Sequence, residues 1–377
     1  MKIERFEVLG VRVNQRGDWL FVRLVSDTGH VGLGEVSHSG DDRAVSQLLA
    51  TRVAPFLRGR ELAAVGPLLR ELQAELGSNA GAARIVATAL SGTEHALWDA
   101  FARRLELPVH ALLGGALRRS VPLYANVNRA IVDRSPAGFA RAASAAVRDG
   151  FRAIKIAPFD GLDARSGVPA VLERALAQGV ARVRSVREAI GDDVALMVDC
   201  HGRFNRTLAL EAARRLEPFA LWWLEDLIWR EDDPGALAAI APRIAQPLAG
   251  GEEELERQGY WQLLASASVS TILPDVKHVG GLGEAKKIAE LAEAARVWVS
   301  PHNPAGPIAT RVSAELSATL PNLGHLEYAW GEVDFRATLI EPAERIVEGS
   351  LELPDGPGYG IALAESMLAK HGFDPLA

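Results

Sequence analysis

The chain has 377 residues, 48% of them hydrophobic, with 48 acidic against 41 basic side chains and a formal charge of −7. That length exceeds one average domain and suits a parallel barrel of roughly 250 residues with a smaller partner. The acidic balance disfavours nucleic acid, which asks for a basic face, and no apolar run reaches the ~20 residues of a bilayer span.

The single cysteine, Cys200, excludes an internal disulfide framework and fits a reducing compartment. It follows Asp199, and neighbouring strand residues point to opposite faces, so Cys200 is expected to pack outward beneath helices rather than act as a nucleophile. The start, MKIERFEVLGVRV, mixes charges into a strand-like pattern without a signal-peptide core. The expected location is cytoplasmic, with neither membrane nor nucleic acid as a partner.

Three β-rich stretches open the chain, IERFEVLGVRV, WLFVRLVSDTG and VGLGEVS, parted by turns at Gly17-Asp18 and Thr28-Gly29. Apolar residues at three- and four-residue spacing then predict helices from about Asp42 to Leu105. From Val121 the rhythm becomes strand, loop, helix, repeated. VPLYANV, FRAIKIAPF, VALMVDCHG, LWWLED, PLAGGE, STILPDV, VWVSPH and HLEYAW read as eight short apolar strands with amphipathic stretches between them. Continuous apolar strands are buried on both faces, as in parallel sheets. Eight of them alternating with helices predict an α/β fold, a (β/α) barrel of the TIM type.

The rhythm ends after Phe335, and the Gly- and Pro-rich PDGPGYG loop follows. The tail is expected to return to the N-terminal domain. The predicted organisation is an α+β cap, residues 1–120 completed by 336–377, over a barrel of 121–335. A leucine-rich solenoid also has units of one strand and one helix, but the leucine and asparagine register it needs is missing.

Ionisable residues close five of these apolar runs: Asp199, Glu225, Glu252, Asp275 and His302, at gaps of 26, 27, 23 and 27 residues. Each gap holds one strand, one helix and two loops, so the series falls on one rim of the barrel, where such folds do their chemistry. Asp199, Glu225 and Glu252 end three consecutive strands. Together without counter-charge they would repel and raise one another's pKa. A hard divalent cation relieves this, and oxygen ligands suit Mg²⁺. Asp226, Glu253 and Glu254 blur the choice. The first acid of each run is preferred, because later ones fall where a helix begins and acids favour its dipole.

Several further motifs stand in order: SGTEHALWDAFARRLELPVHALLGG, GFRAIKIAPF, LMVDCHGR, WLED, LAGGE, PDVKHVGG and SPHNPAGP. With these the chain resembles the enolase superfamily, in its mandelate racemase/muconate lactonizing enzyme-like branch, over nearly its whole length. The resemblance implies one Mg²⁺ per subunit on Asp199, Glu225 and Glu252, and a small carboxylic acid as substrate. It implies abstraction of the α proton to an enediolate and a homo-oligomer.

Asp275 and His302 match the family's Asp-His dyad, in which the aspartate sets the base's tautomer. The family often carries Lys-x-Lys at the second strand. Here Lys155-Ile156-Ala157 keeps the first lysine, implied to contact the substrate carboxylate or metal site, and lacks the second as a base.

His201, two residues beyond Asp199 on what reads as a continuing strand, resembles the general acid of acid-sugar dehydratases. Lys277 would also point inward if its strand continued, as a base or as a partner of a substrate hydroxyl. Glu327 is similar to the family's eighth-strand glutamate. Ser37, His38 and Ser39 correspond to a cap loop over the distal end of the substrate, and their polarity suits a hydroxylated chain. The expectation is a lyase that dehydrates an aldonate or aldarate. The alternatives are a racemase, epimerase or cycloisomerase and, further off, a binding protein without catalysis. The tryptophans of LWWLED read as core, and Gly280-Gly281-Leu282-Gly283 as a strand-to-helix turn.

Overall fold

The computed structural model describes residues 1–77, 82–164, 167–233 and 235–377. Of the helical stretch expected between Asp42 and Leu105, residues 78–81 lie outside that set.

β1 (Ile3–Asn14), β2 (Gly17–Ser26) and β3 (Val31–Glu35), the three expected strands, pair as an antiparallel meander, with Val8 opposite Val22 and Phe21 opposite Glu35. The first turn falls at Gln15-Arg16, so that Gly17 and Asp18, expected in it, open β2. One face of β2, carrying Leu20, Val22 and Leu24, is covered by apolar residues of the helices Val65–Leu76 and Ala83–Arg104, among them Leu68, Leu72, Ala89 and Ala96.

The eight apolar runs become β4 (Ser120–Asn126), β5 (Ala153–Ile156), β6 (Ala195–Asp199), β7 (Trp223–Glu225), β8 (Leu248–Gly250), β9 (Thr271–Ile272), β10 (Trp298–Val299) and β11 (Leu326–Ala329). All are parallel, in the order β10-β9-β8-β7-β6-β5-β4-β11. Backbone hydrogen bonds then join the two edges: Val299 N to Asn322 O at 2.9 Å, Gly324 N to Val299 O at 2.8 Å and Glu327 N to Pro301 O at 3.2 Å. The strands thus make a ring.

Alternation along each strand sorts the side chains into two environments. Ile154, Ile156, Leu196, Val198, Leu224 and Ile272 face the surrounding helices. Tyr124, Ala153, Met197, Trp223, Ala249 and Leu273 form a separate apolar cluster. Cys200 belongs to the outer core, where burial raises its thiol pKa well above normal.

The tail after Phe335 divides its pairing. Ser350–Glu352 adds antiparallel to the start of β4, and Gly372–Phe373 pairs with Gly10 and Val11 of β1.

Three buried carboxylates of the N-terminal part bind backbone N–H groups elsewhere. Glu35 accepts from Gly306 N at 2.6 Å and Ala309 N at 2.8 Å, at the start of the helix Pro307–Ala318. Glu94 accepts from Leu282 N and Gly283 N at the start of the helix Leu282–Ala294. Asp99 accepts from Leu33 N at 3.0 Å and Tyr359 N at 2.8 Å. Glu94 reaches its partners only because position 281 lacks a side chain: a Cβ there would stand 2.1 Å from Oε2, and Gly281 has φ +102°. Each carboxylate suits the positive end of a helix or an orphan amide.

Glu35→Ala strands two buried amides and opens a cavity, so stability should fall by about 2–4 kcal/mol. A urea unfolding midpoint that does not move would contradict this.

Candidate active site and metal centre

Asp199 and Glu225 are register partners at the ends of β6 and β7, and Glu252 follows β8 after Gly250-Gly251. Their ligand oxygens lie within 4.8 Å of one another, and all three residues are buried. Lys155, on β5, places Nζ 2.6 Å from Glu225 Oε1, 3.1 Å from Glu327 Oε1 and 3.9 Å from Asp199 Oδ2. Burial opposes the charge on Lys155, but Glu225 and Glu327 outweigh it and raise the ammonium well above its ordinary value.

One lysine does not balance this set. Burial lifts Glu225 to about 7, and burial with the charges of Asp199 and Asp226 lifts Glu252 well above the carboxylate range. Glu252 Oε2 and Asp226 Oδ2 are buried without a hydrogen-bond donor. Hard oxygens crowded to this degree, with orphaned acceptors among them, fit a divalent cation of the Mg²⁺ type. Asp226 differs from the helix-start role expected of it: its carboxylate is buried beside Gly250, and Oδ1 accepts from Gly251 N at 3.4 Å. Glu253 and Glu254 turn away to Arg84 and Arg230.

His201 reaches the site by a different path from the continuing strand expected. β6 stops at Asp199, and His201 (φ +46°) and Gly202 (φ +61°) are left-handed. This turn folds the imidazole back, with Nε2 3.0 Å from Asp199 Oδ2, while His201 N donates to Oδ1 at 3.0 Å. A Cβ at residue 202 would lie 2.2 Å from the Trp229 ring, so only glycine permits the turn. The charge of Asp199, working against burial, raises His201 to about 9. The imidazole is therefore protonated at neutral pH, and its side chain is 38% exposed.

Across the ring, His302 Nδ1 lies 2.9 Å from Asp275 Oδ2, and Nε2 lies 3.1 Å from Glu252 Oε2 and 4.0 Å from Glu327 Oε2. Asp275 accepts a hydrogen bond from Nδ1–H and so turns Nε2 toward Glu252 and Glu327. β9 ends at Ile272, so Lys277 sits in a turn and not on a continuing strand; Nζ nevertheless pairs with the same Asp275 Oδ2 at 2.8 Å. Burial would raise Asp275, but Lys277, His278 and His302 hold it well below the carboxylate range.

Glu327, on β11, is fixed by Asn126 Nδ2 at 2.5 Å on Oε1 and by Asn303 N at 2.9 Å on Oε2. Lys155 and His302 outweigh its burial and hold it below the usual range. Neither asparagine stood out in the sequence beyond its place in the strand-end runs YAN and PHN.

In the loop after β3 the three polar residues separate. Ser37 Oγ donates to Glu35 Oε1 at 2.8 Å and accepts from Leu20 N at 2.9 Å. Ser39 Oγ donates to Asp42 Oδ1 at 2.8 Å. His38 (φ +60°) packs its ring by Gly17, and its Nε2 is buried without a partner. Burial, then the charges of Arg129 and Lys277, depress it to about 2, so this imidazole stays neutral.

Residues 7–114 match the mandelate racemase/muconate lactonizing enzyme N-terminal domain, and residues 138–367 match the domain described as enolase C-terminal domain-like. A D-xylonate dehydratase of Haloferax volcanii is 30% identical over 363 residues, covering 94% of this chain and 85% of that protein. A D-gluconate dehydratase of Thermoproteus tenax is 36% identical over 290 residues, 77% of this chain and 57% of that protein. The crystal structure of a mandelate racemase/muconate lactonizing enzyme-like protein from Rubrobacter xylanophilus superposes with a TM-score of 0.91 at 32% identity, covering 100% of this chain and 98% of that one. Two family domains in order, together spanning most of the sequence, settle the ancestry: the chain belongs to the enolase superfamily, in its mandelate racemase/muconate lactonizing enzyme-like family.

Proposed function

We propose that the protein is a lyase that dehydrates an aldonate-type sugar acid. On this reading the ring is a (β/α) barrel of the TIM type, residues 121–335, capped by 1–120 with 336–377. The observation that carries the chemistry is the pair of carboxylate-bound histidines, His302 on Asp275 and His201 on Asp199, four strands apart in an eight-strand ring. On this reading His302, held through Nδ1 by Asp275, is the base at Nε2, and His201, whose pKa the charge of Asp199 raises to about 9, is the acid.

Asp199, Glu225 and Glu252 would hold Mg²⁺, which when bound supplies Lewis-acid charge to a substrate carboxylate and its enediolate. His302 Nε2 removes the proton α to that carboxylate, while Asp275 holds the imidazole's orientation. Lys155 adds a fixed positive charge beside the developing oxyanion. His201 then gives its Nε2 proton to the β-hydroxyl, which leaves as water, and the enol so formed becomes a 2-keto acid.

A second base for racemisation or epimerisation finds no support. Lys155 is held as an ammonium by two carboxylates, and Lys277 is paired with Asp275. The Haloferax and Thermoproteus relatives are named for monoacids, which favours an aldonate over an aldarate. His38, neutral and unpaired, suits a distal hydroxyl.

Incubation of five- and six-carbon aldonates in D₂O should give 2-keto-3-deoxy products; deuterium at C2 without any keto product would overturn dehydration. His302→Asn should cut turnover by at least about 10²-fold with the fold retained by circular dichroism. His201→Asn should abolish water loss while C2 proton exchange persists, and full activity in this variant would remove its role as acid. Chelation of divalent ions should abolish turnover and lower the melting temperature, and Asp199→Asn should prevent recovery on adding Mg²⁺.

A further inference from the structure

Trp223, on β7, belongs to the apolar cluster with Tyr124 and Met197 and is buried. Its ring stands edge-on to Tyr124, with centroids 5.7 Å apart. As a residue of the LWWLED run it reads as core and nothing more. An indole buried this deeply also needs a partner for its N–H, and that partner is Glu225: Nε1 donates to Oε2 at 2.8 Å. Trp223 and Glu225 are two residues apart on β7 and share its inward face.

We infer that Trp223 is a positioning residue for the metal ligand Glu225; the inference rests on reading Asp199, Glu225 and Glu252 as the metal site. Glu225 has one donor on each oxygen, Lys155 Nζ on Oε1 at 2.6 Å and Trp223 Nε1 on Oε2 at 2.8 Å. Together they stop the carboxylate from rotating about its terminal bond. The two donors differ in kind. The lysine is shared with Glu327 and Asp199, and its charge repels an incoming cation. The indole serves Glu225 alone and is neutral, so it orients the ligand without opposing metal entry. Mg²⁺ tolerates little departure from octahedral geometry, so a ligand fixed beforehand binds it more tightly.

The test is calorimetric titration of the metal-free protein with MgCl₂. Trp223→Phe keeps an aromatic wedge and deletes the donor; it should weaken Mg²⁺ binding by about 10–100-fold while the metal-free protein keeps most of its melting temperature. Should that variant fail to fold, benzothienylalanine at position 223, which replaces the N–H by sulfur in a ring of the same size, should give the same loss. Mg²⁺ affinity within twofold of the unaltered protein in either folded variant would overturn the inference and leave the metal reading standing. If the unaltered protein binds no divalent ion, the metal reading falls and this inference with it.

Discussion

The ammonium of Lys155 stands among Glu225, Glu327 and Asp199, with Glu252 a short step further round the rim. Strand pairing enforces the crowding: Asn126 is opposite Lys155, and Asp199 is opposite Glu225. Any side chain on these inward positions must face its neighbours at the ring's mouth. Burying unbalanced charge costs several kcal/mol per ion unless something compensates. Three responses are visible: a carboxyl lifted towards neutrality at Glu225, a histidine held protonated by Asp199, and acceptor atoms on Glu252 and Asp226 left without donors. All three point to a positive charge supplied from outside the chain.

The same economy of charge recurs where the N-terminal part meets the ring. Glu35, Glu94 and Asp99 are buried and bind backbone amides, two of them at helix starts. The helix Ala83–Arg104 does more than cover the sheet. From it Thr88 contacts His278 Nδ1 at 2.9 Å, Ser91 accepts from Gly280 N at 3.0 Å, and His95 contacts Val276 O at 3.0 Å. The turn that carries Asp275 and Lys277 is therefore held from the N-terminal part as well as from the ring, although β9 beneath it is only two residues long.

Much of this was legible in the chain because burial on both faces writes strands as unbroken apolar runs, and an ionisable residue at the end of such a run is conspicuous. All eight runs from VPLYANV to HLEYAW contain a strand of the ring. Other features depend on quantities that residue types do not carry. His201 and Lys277 arrive through turns rather than extended strand, because left-handed backbone at a histidine is not written in its identity. Asn126 and Asn303 hold Glu327 from 201 and 24 residues away, and an amide announces no charge. Ser37 looked like a loop hydroxyl, yet it is bonded to Glu35 and Leu20.

Glu35 and His38 are three residues apart but belong to different tasks. The first clamps the helix that follows the His302 loop, and Ser37 locks that clamp. The second begins a stretch that is next tied down where Ser39 meets Asp42. The hydrogen bonds that hold the clamp thus end at Ser37, and the next residue, His38, keeps a buried Nε2 without one. On the proposed function, a change at position 38 would alter which substrate is accepted while leaving the Glu35 clamp in place. The clamp and the residue proposed to meet the substrate are separated by a single peptide bond.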